Sequence, residues 1–295
     1  MNVLVQTLAD IGAIDRESLE LFHPRVRDRD DIQVLRDPVS EVILLSRSDH
    51  VSESYYEERR EHEAYAVRGE RVWTPRLDDN VRRAQEFGGY IRNKCWLDFG
   101  CGLGGMLDEI GGQASSAIGL EPSRERAAIV RDKGHRVVQD VREIEPGSLD
   151  VVTMFHVLEH LTDPFRALRD LKSVLKPGGV LLVEVPHARD ALITLFDCEA
   201  FKSFTFWSEH LVLHTRMSLR LMLRTAGFED LEVSAFQRYP LSNHLHWLAR
   251  SEPAGHDVWR FLSNRELETA YGGSLAAIDR TDTLIALCRP TASWA

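Results

Sequence analysis

Four cysteines in 295 residues, Cys95, Cys101, Cys198 and Cys288, are few and scattered. No C-x-x-C pair occurs, so neither a disulfide framework nor a cysteine zinc site is indicated, and reduced thiols are expected. Long apolar runs are also missing. None approaches the roughly 18 to 20 residues that a membrane-spanning helix needs, and MNVLVQTLADIGAIDRE has neither a basic start nor a small-residue cleavage site, so a cytoplasmic location is expected. Basic charge is in deficit: 46 Asp plus Glu face 36 Lys plus Arg, a formal charge of -10. That balance opposes the polyanion attraction behind most nucleic-acid affinity, and no nucleic-acid partner is expected. Low-complexity segments and internal repeats are absent. What remains is a chain with 43% hydrophobic residues, enough to bury a sizeable core. Its densest charged run, YYEERREHEAYAVRGER from Tyr55 to Arg71, reads as a solvated helix face because its charges alternate at helical spacing.

Residues 1–75 read as a small accessory unit. A short helix is expected near Arg16 to Phe22, then strands in DIQVLRD and EVILLS on either side of Pro38, then the charged helix, ended by Pro75. From Arg76 onward a helix leads into alternating strand and helix patterns. The strands expected are CWLDF, SAIGLE, RVVQD, LDVVTMF, GVLLVEV, EDLEVSAF and DTLIALC. Such alternation predicts an α/β fold with a doubly wound, mainly parallel sheet over 76–295. Between the last two strands, Leu241 to about Arg280 is too long for a turn and is expected to be a helical insertion.

CWLDFGCGLGGM carries G-x-G-x-x-G at Gly100, Gly102 and Gly105 directly after a strand, and Glu121 ends the next strand about 20 residues later. Glycines there allow a tight turn and close approach of a ligand to backbone N–H groups, and the acid can hold a ribose diol. Both NAD and S-adenosylmethionine offer an adenosine ribose. Asp98 separates them: a dinucleotide would bring a pyrophosphate that a carboxylate repels, whereas S-adenosylmethionine brings a sulfonium and an ammonium that it attracts.

Taken in order, LDFGCGLGG, GLEPS, QDV, VLEHLTDP and LKPGGVLLVEVP resemble the class I, seven-stranded, Rossmann-like S-adenosylmethionine-dependent methyltransferases, over roughly Gly88 to Phe236. The resemblance implies a seven-stranded sheet with an antiparallel last strand and S-adenosyl-L-methionine as cofactor. It implies that Asp98, Gly100, Gly102 and Gly104 face the methionine part, that Glu121 holds the ribose hydroxyls, that Asp140 and Val141 lie at the adenine, and that Phe155 joins the cofactor site.

FHVLEHLTDP contains His156, Glu159 and His160 as H-x-x-E-H, a pattern that zinc peptidases place on a helix. Thr162-Asp163-Pro164 restarts the chain after about one turn, which argues against that reading. The stretch also resembles the E-x-x-E-H segment of ubiquinone-pathway O-methyltransferases, where the side chains can take a divalent cation. With His156 in place of the first acid, a hard, oxygen-seeking cation is disfavoured and no metal is expected.

Methyl transfer is an in-line displacement from a positively charged sulfur, so the protein positions the nucleophile, excludes water and accepts a proton where the acceptor is an alcohol. Candidate bases are His187 and His160, then His210, then His156, with His214 in the same stretch as His210. Phe201, Phe204, Phe206 and Trp207 either wall an acceptor pocket or fill a small core; His244, His246, Trp247 and Trp259 either line the acceptor side or pack the insertion. The accessory unit and the insertion resemble those of sugar-modifying methyltransferases, which implies a hydroxylated small-molecule or glycan acceptor, carbohydrate O-methylation and a possible homodimer. An NAD-dependent oxidoreductase and a noncatalytic module that keeps the same fold are the alternatives.

Overall fold

The computed structural model describes residues 3–51, 55–58, 66–67, 70–71 and 79–291. Among the described residues thirteen strands occur: β1 Glu20–His23, β2 Val34–Arg36, β3 Ile43–Leu45, β4 Ala66–Val67, β5 Glu70–Arg71, β6 Cys95–Phe99, β7 Ser116–Leu120, β8 Val137–Val138, β9 Leu149–Phe155, β10 Leu175–Pro186, β11 Val212–Leu213, β12 Phe228–Phe236 and β13 Thr283–Pro290. The helices are α1 Val3–Asp10, α2 Tyr55–Glu58, α3 Asp79–Ile91, α4 Gly105–Ile110, α5 Arg124–Asp132, α6 Pro164–Val174, α7 Ala191–Thr194, α8 Glu199–Thr205, α9 Arg216–Thr225, α10 Leu241–Arg250, α11 Gly255–Val258 and α12 Arg265–Ala277.

Seven strands form the main sheet in the order β12-β13-β10-β9-β6-β7-β8. The pairs among β6, β7, β8, β9 and β10 are parallel, and β13 runs antiparallel to both β10 and β12. This is the α/β, mainly parallel architecture with an antiparallel last strand that the motif order implied. Strand β9 shows why: every residue from Leu149 to Phe155 except Asp150 is buried, as a strand covered on both faces requires. Helix α6 covers the sheet through Leu168, Leu171 and Val174, starting where Asp163 caps the Arg166 N–H and Pro164 occupies the first turn. Helix α9 does the same with Leu219, Met222 and Leu223. The order reverses beside β6, whose neighbours are β9 and β7, so the carboxyl ends of β6 and β9 flank the switch point where such sheets bind ligands.

Strands β1, β2, β3 and β11 form a second, antiparallel sheet. Its fourth strand comes from far along the chain, between β10 and α9, and the apolar core runs without a break from Leu4 and Leu44 to Val183 and Leu284. The helix expected near Arg16–Phe22 is a 3-10 turn at Arg16–Ser18 followed by β1. Asp15 caps that turn by accepting the Glu17 N–H, and pairing with β2 then outweighs helix formation. Of the charged run, Tyr55–Glu58 is helical, whereas β4 and β5 pair as a hairpin; its remainder and Pro75 lie outside the described residues. The insertion is helical as expected, with α10, α11 and α12 and a 3-10 turn at Arg260–Leu262. Among the described residues no helix is long and apolar enough to cross a membrane.

Candidate active site

At the end of β6 the chain reverses through Gly100 to Gly104 before α4 begins. Gly100 has φ +76° and a Cβ there would lie 2.4 Å from a Val157 methyl, so both conformation and space demand glycine. Gly102, at φ +57°, opens onto free space, with nothing within 4 Å of where its Cβ would sit. Gly104 is the left-handed N-cap of α4. Asp98 is buried beneath this turn and makes no ion pair among the described residues. The Thr153 hydroxyl donates to its Oδ1 at 2.8 Å, and the Trp96 indole N–H donates to the Thr153 oxygen at 2.9 Å. Burial pushes the Asp98 carboxyl up to about 6, with Thr153 and Arg83 acting against the shift.

Glu121, at the end of β7, accepts the Gly102 N–H at 3.0 Å and the Ser123 N–H at 2.9 Å. Ser123 in turn caps α5 by accepting the Arg126 N–H. Glu121 thus joins the glycine turn to the next helix. Asp140 caps the 3-10 turn that begins at Val141, and its half-exposed carboxylate pairs with Arg142 at 2.5 Å. Phe155 stacks on Phe87 at 5.6 Å, with the Arg83 guanidinium 4.7 Å from its centroid. A buried, unpaired carboxyl at Asp98 beside an open glycine suits a ligand that carries positive charge; the residues present fit such a donor.

A paired charge network closes the neighbouring strand ends. Glu184 of β10 is fully buried and receives Arg82 at 2.8 Å and Arg83 at 2.5 Å. His156 has φ +54°, which turns its ring between two acids: its Nδ1 lies 3.0 Å from Glu159 Oε1, and its Nε2 lies 3.2 Å from Glu184 Oε1, near enough for an ion pair but off the hydrogen-bond direction. Burial works against charge on His156, and the neighbouring carboxylates of Glu159 and Glu184 overcome that and raise its pKa. Glu184 is held well below the usual carboxylate range against its own burial, by His156 and Arg83. Arg238 joins the group by donating from Nε to Asp79 at 2.8 Å.

Beside this network lies a cavity of about 540 Å³. All four candidate bases, His156, His160, His187 and His210, line it, with Phe201, Phe204, Trp207 and Trp247 on its walls. Asp98, Gly100, Gly102, Gly104, Glu121, Asp140, Val141 and Phe155, the residues expected to hold a cofactor, do not line it. Phe206 is core, 1% exposed. His244 bonds Tyr271 and Gln237, and His246 bonds the Glu252 carbonyl and meets Trp259 edge-on, so these pack the insertion. His214 is buried against Ser218.

The four histidines differ sharply. His187 is completely buried; its Nδ1 lies 3.0 Å from the Thr281 carbonyl, which assigns the proton to Nδ1, and burial pushes its pKa down to about 4. His156 sits between two carboxylates that favour its protonated form. His210 is half-buried, 5.0 Å ring to ring from His160 and 5.3 Å from Trp207. Burial first, then the neighbouring His160 and His156, hold His210 well below the ordinary value, which favours the neutral ring with a lone pair. Glu159, His160 and His210 also bring one ligand atom each within 4.8 Å of one another, a donor set that can hold a divalent ion accepting nitrogen as well as oxygen.

Sequence reasoning did not find Arg27, Asp190, Arg238, Tyr239, Asn243 or Asp282, which also line the cavity. Asp282 accepts the Arg238 and Tyr239 N–H groups at 2.9 and 2.8 Å. Asp190 is raised well above the usual range by burial and then by Asp282. They come from five places in the chain with no shared motif.

Residues 67–233 match the family model described as "Methyltransferase domain". The chain belongs to this family. It is 31% identical over 181 residues to the ubiquinone biosynthesis O-methyltransferase of Xanthomonas campestris pv. campestris strain B100, covering 53% of this chain and 71% of that one. It is 33% identical over 150 residues to a probable S-adenosylmethionine-dependent methyltransferase of Mycolicibacterium smegmatis, covering 45% and 51%. A crystal structure of a SAM-dependent methyltransferase from Archaeoglobus fulgidus superposes with a TM-score of 0.50 at 18% identity, over 70% of this chain and 91% of that one, and shares the fold.

Proposed function

We propose that this methyltransferase moves a methyl group from S-adenosylmethionine to a hydroxyl oxygen of a small molecule, with sugars and sugar nucleotides among the acceptors. Asp98, Gly100, Gly102 and Gly104 would hold the methionine part, Glu121 the ribose, and Asp140, Val141 and Phe155 the adenosine side. The donor supplies an already activated methyl group. The single observation that carries the reading is the neutral His210 at the wall of an aromatic-lined cavity, next to the strand ends that carry the glycine turn.

In this reading His210 takes the hydroxyl proton, and its lowered basicity is offset because that proton grows more acidic as the oxygen bonds the methyl carbon and the carbon–sulfur bond breaks. His160 and Trp207 fix the His210 ring from the side. His156 acts as a positioning residue, anchoring Glu159 and Glu184, and His187 stiffens the cavity floor. The cavity walls displace water from the reacting atoms. Residues 1–75 serve as an accessory unit that supplies part of the acceptor side. The O-methyltransferase names of the relatives support oxygen as the target atom; Trp207 and Trp247 offer apolar faces for the C–H face of a sugar or for a flat aromatic ring.

The test is to supply purified protein and a cell extract with isotopically labelled methyl donor and identify the labelled product by mass spectrometry. An O-methylated product is expected. Thermal stabilisation by NAD and none by S-adenosylhomocysteine would overturn the reading.

A further inference from the structure

Arg27 stands apart from the other arginines of the cavity. Arg83 is paired with Glu184 and Arg238 with Asp79. Arg27, carried by the turn after β1, forms no ion pair among the described residues. Its two acidic neighbours are committed elsewhere: Asp28 accepts the Ser208 N–H and hydroxyl at 2.9 and 2.6 Å, and Glu209 accepts the Tyr55 hydroxyl at 3.1 Å. One Arg27 Nη1–H reaches the Phe204 carbonyl at 3.1 Å, and its Nε is buried without an acceptor. A guanidinium carries five N–H donors. The group lies 4.6 Å from the Trp207 centroid and 5.3 Å from that of Phe204, so both rings fix its plane. Burial lowers its pKa, with Asp28 and Glu209 compensating in part.

An arginine held flat, partly dehydrated and unpaired at a cavity wall presents a fork that fits two oxygens sharing negative charge. Arg126 of α5 lines the same cavity and also has its Nε buried without an acceptor. We infer that the acceptor carries an anionic oxygen group, a carboxylate or a phosphate, which seats on the Arg27 fork while the acceptor's body lies along Phe201 and Trp247. This rests on the methyltransferase reading and deepens it: Arg27 is a specificity residue that the N-terminal segment brings to the acceptor.

The test uses the full chain with S-adenosylhomocysteine bound and isothermal titration of two probe pairs, 3,4-dihydroxybenzoate against catechol and glucose 6-phosphate against glucose. In at least one pair the anionic member is expected to bind about tenfold or more tighter, the usual worth of a charge-assisted hydrogen bond. Which pair shows it distinguishes carboxylate from phosphate. Arg27→Gln should erase the preference, and Arg27→Lys should restore only part of it, because the charge returns without the fork. S-adenosylhomocysteine should bind Arg27→Gln as it binds the wild type, which controls for folding. Equal or absent binding of both members in both pairs, or a preference that survives in Arg27→Gln, overturns the inference. Failure of the wild type to bind S-adenosylhomocysteine overturns the methyltransferase reading instead, and the same pairs titrated onto the protein alone still decide the role of Arg27.

Discussion

The two halves of the site are built in opposite ways. The half proposed to hold the donor is local: Asp98 and the glycines lie within one strand and turn, and Glu121 reaches back to Gly102 through a single hydrogen bond. The acceptor half is assembled from Arg27, the ends of β9 and β10, the stretch from Phe201 to Leu213, and the segments around Tyr239, Ala254 and Asp282. The donor half is tied to a fixed ligand and needs a fixed backbone. The acceptor half recognises by side chains, which the sheet edge brings together from whatever segment lies above it.

If the halves are separable, variants in one should leave the other intact. The largest expected effect is His210→Ala, which should lower kcat about 100- to 10,000-fold while the dissociation constant for S-adenosylhomocysteine stays the same; a matching loss of donor binding would show that the halves are one. Glu184→Ala should instead harm both through stability. It leaves Arg83 without its ion-pair partner in a buried place and His156 with Glu159 alone, which costs about 3–5 kcal/mol and is read by urea unfolding. Glu121→Gln should weaken S-adenosylhomocysteine by roughly tenfold or more, the worth of a hydrogen bond to a charged group, with no change in binding of the acceptor probes.

Acidity supplies a further test. The raised pKa of Asp98 means that its protonated form suits the free protein, so this contribution to stability is present at low pH and is lost as pH rises through about 6. If Asp98 faces the donor as proposed, donor binding runs the other way, because the cation needs the ionised carboxylate. Affinity for S-adenosylmethionine should therefore fall below about pH 6, by up to about tenfold per pH unit, and Asp98→Asn should flatten the profile. The smallest effect belongs to Asp140→Ala: its carboxylate pairs with exposed Arg142 and caps the short turn at Val141, and its loss should lower stability only slightly in unfolding measurements.

The sheet was legible because each parallel strand writes its burial into a run of apolar residues, as LDVVTMF does, and because glycine spacing reports a backbone demand that only glycine meets, as at Gly100. Strand ends were less legible. RVVQD shrinks to Val137–Val138 at the sheet edge, and β10 extends back through LKPG to Leu175. Among the histidines, sequence position said which sit near the sheet edge but not which keep a lone pair. That depends on Glu184, 28 residues beyond His156, and on the complete burial of His187. Arg27 gave no signal at all, since its meaning comes from the acids that do not reach it.

One backbone connection crosses the molecule. Leu211, next to His210, donates its N–H to the Glu159 carbonyl at 2.9 Å and accepts the Leu45 N–H at 3.0 Å. The backbone of this one residue thus clips the turn bearing Glu159 and His160 to the four-stranded sheet. The Leu45 amide proton becomes a remote gauge of the catalytic wall: when an acceptor settles the stretch from Phe201 to Leu213, exchange of that proton with deuterated solvent should slow, although Leu45 lines no part of the cavity.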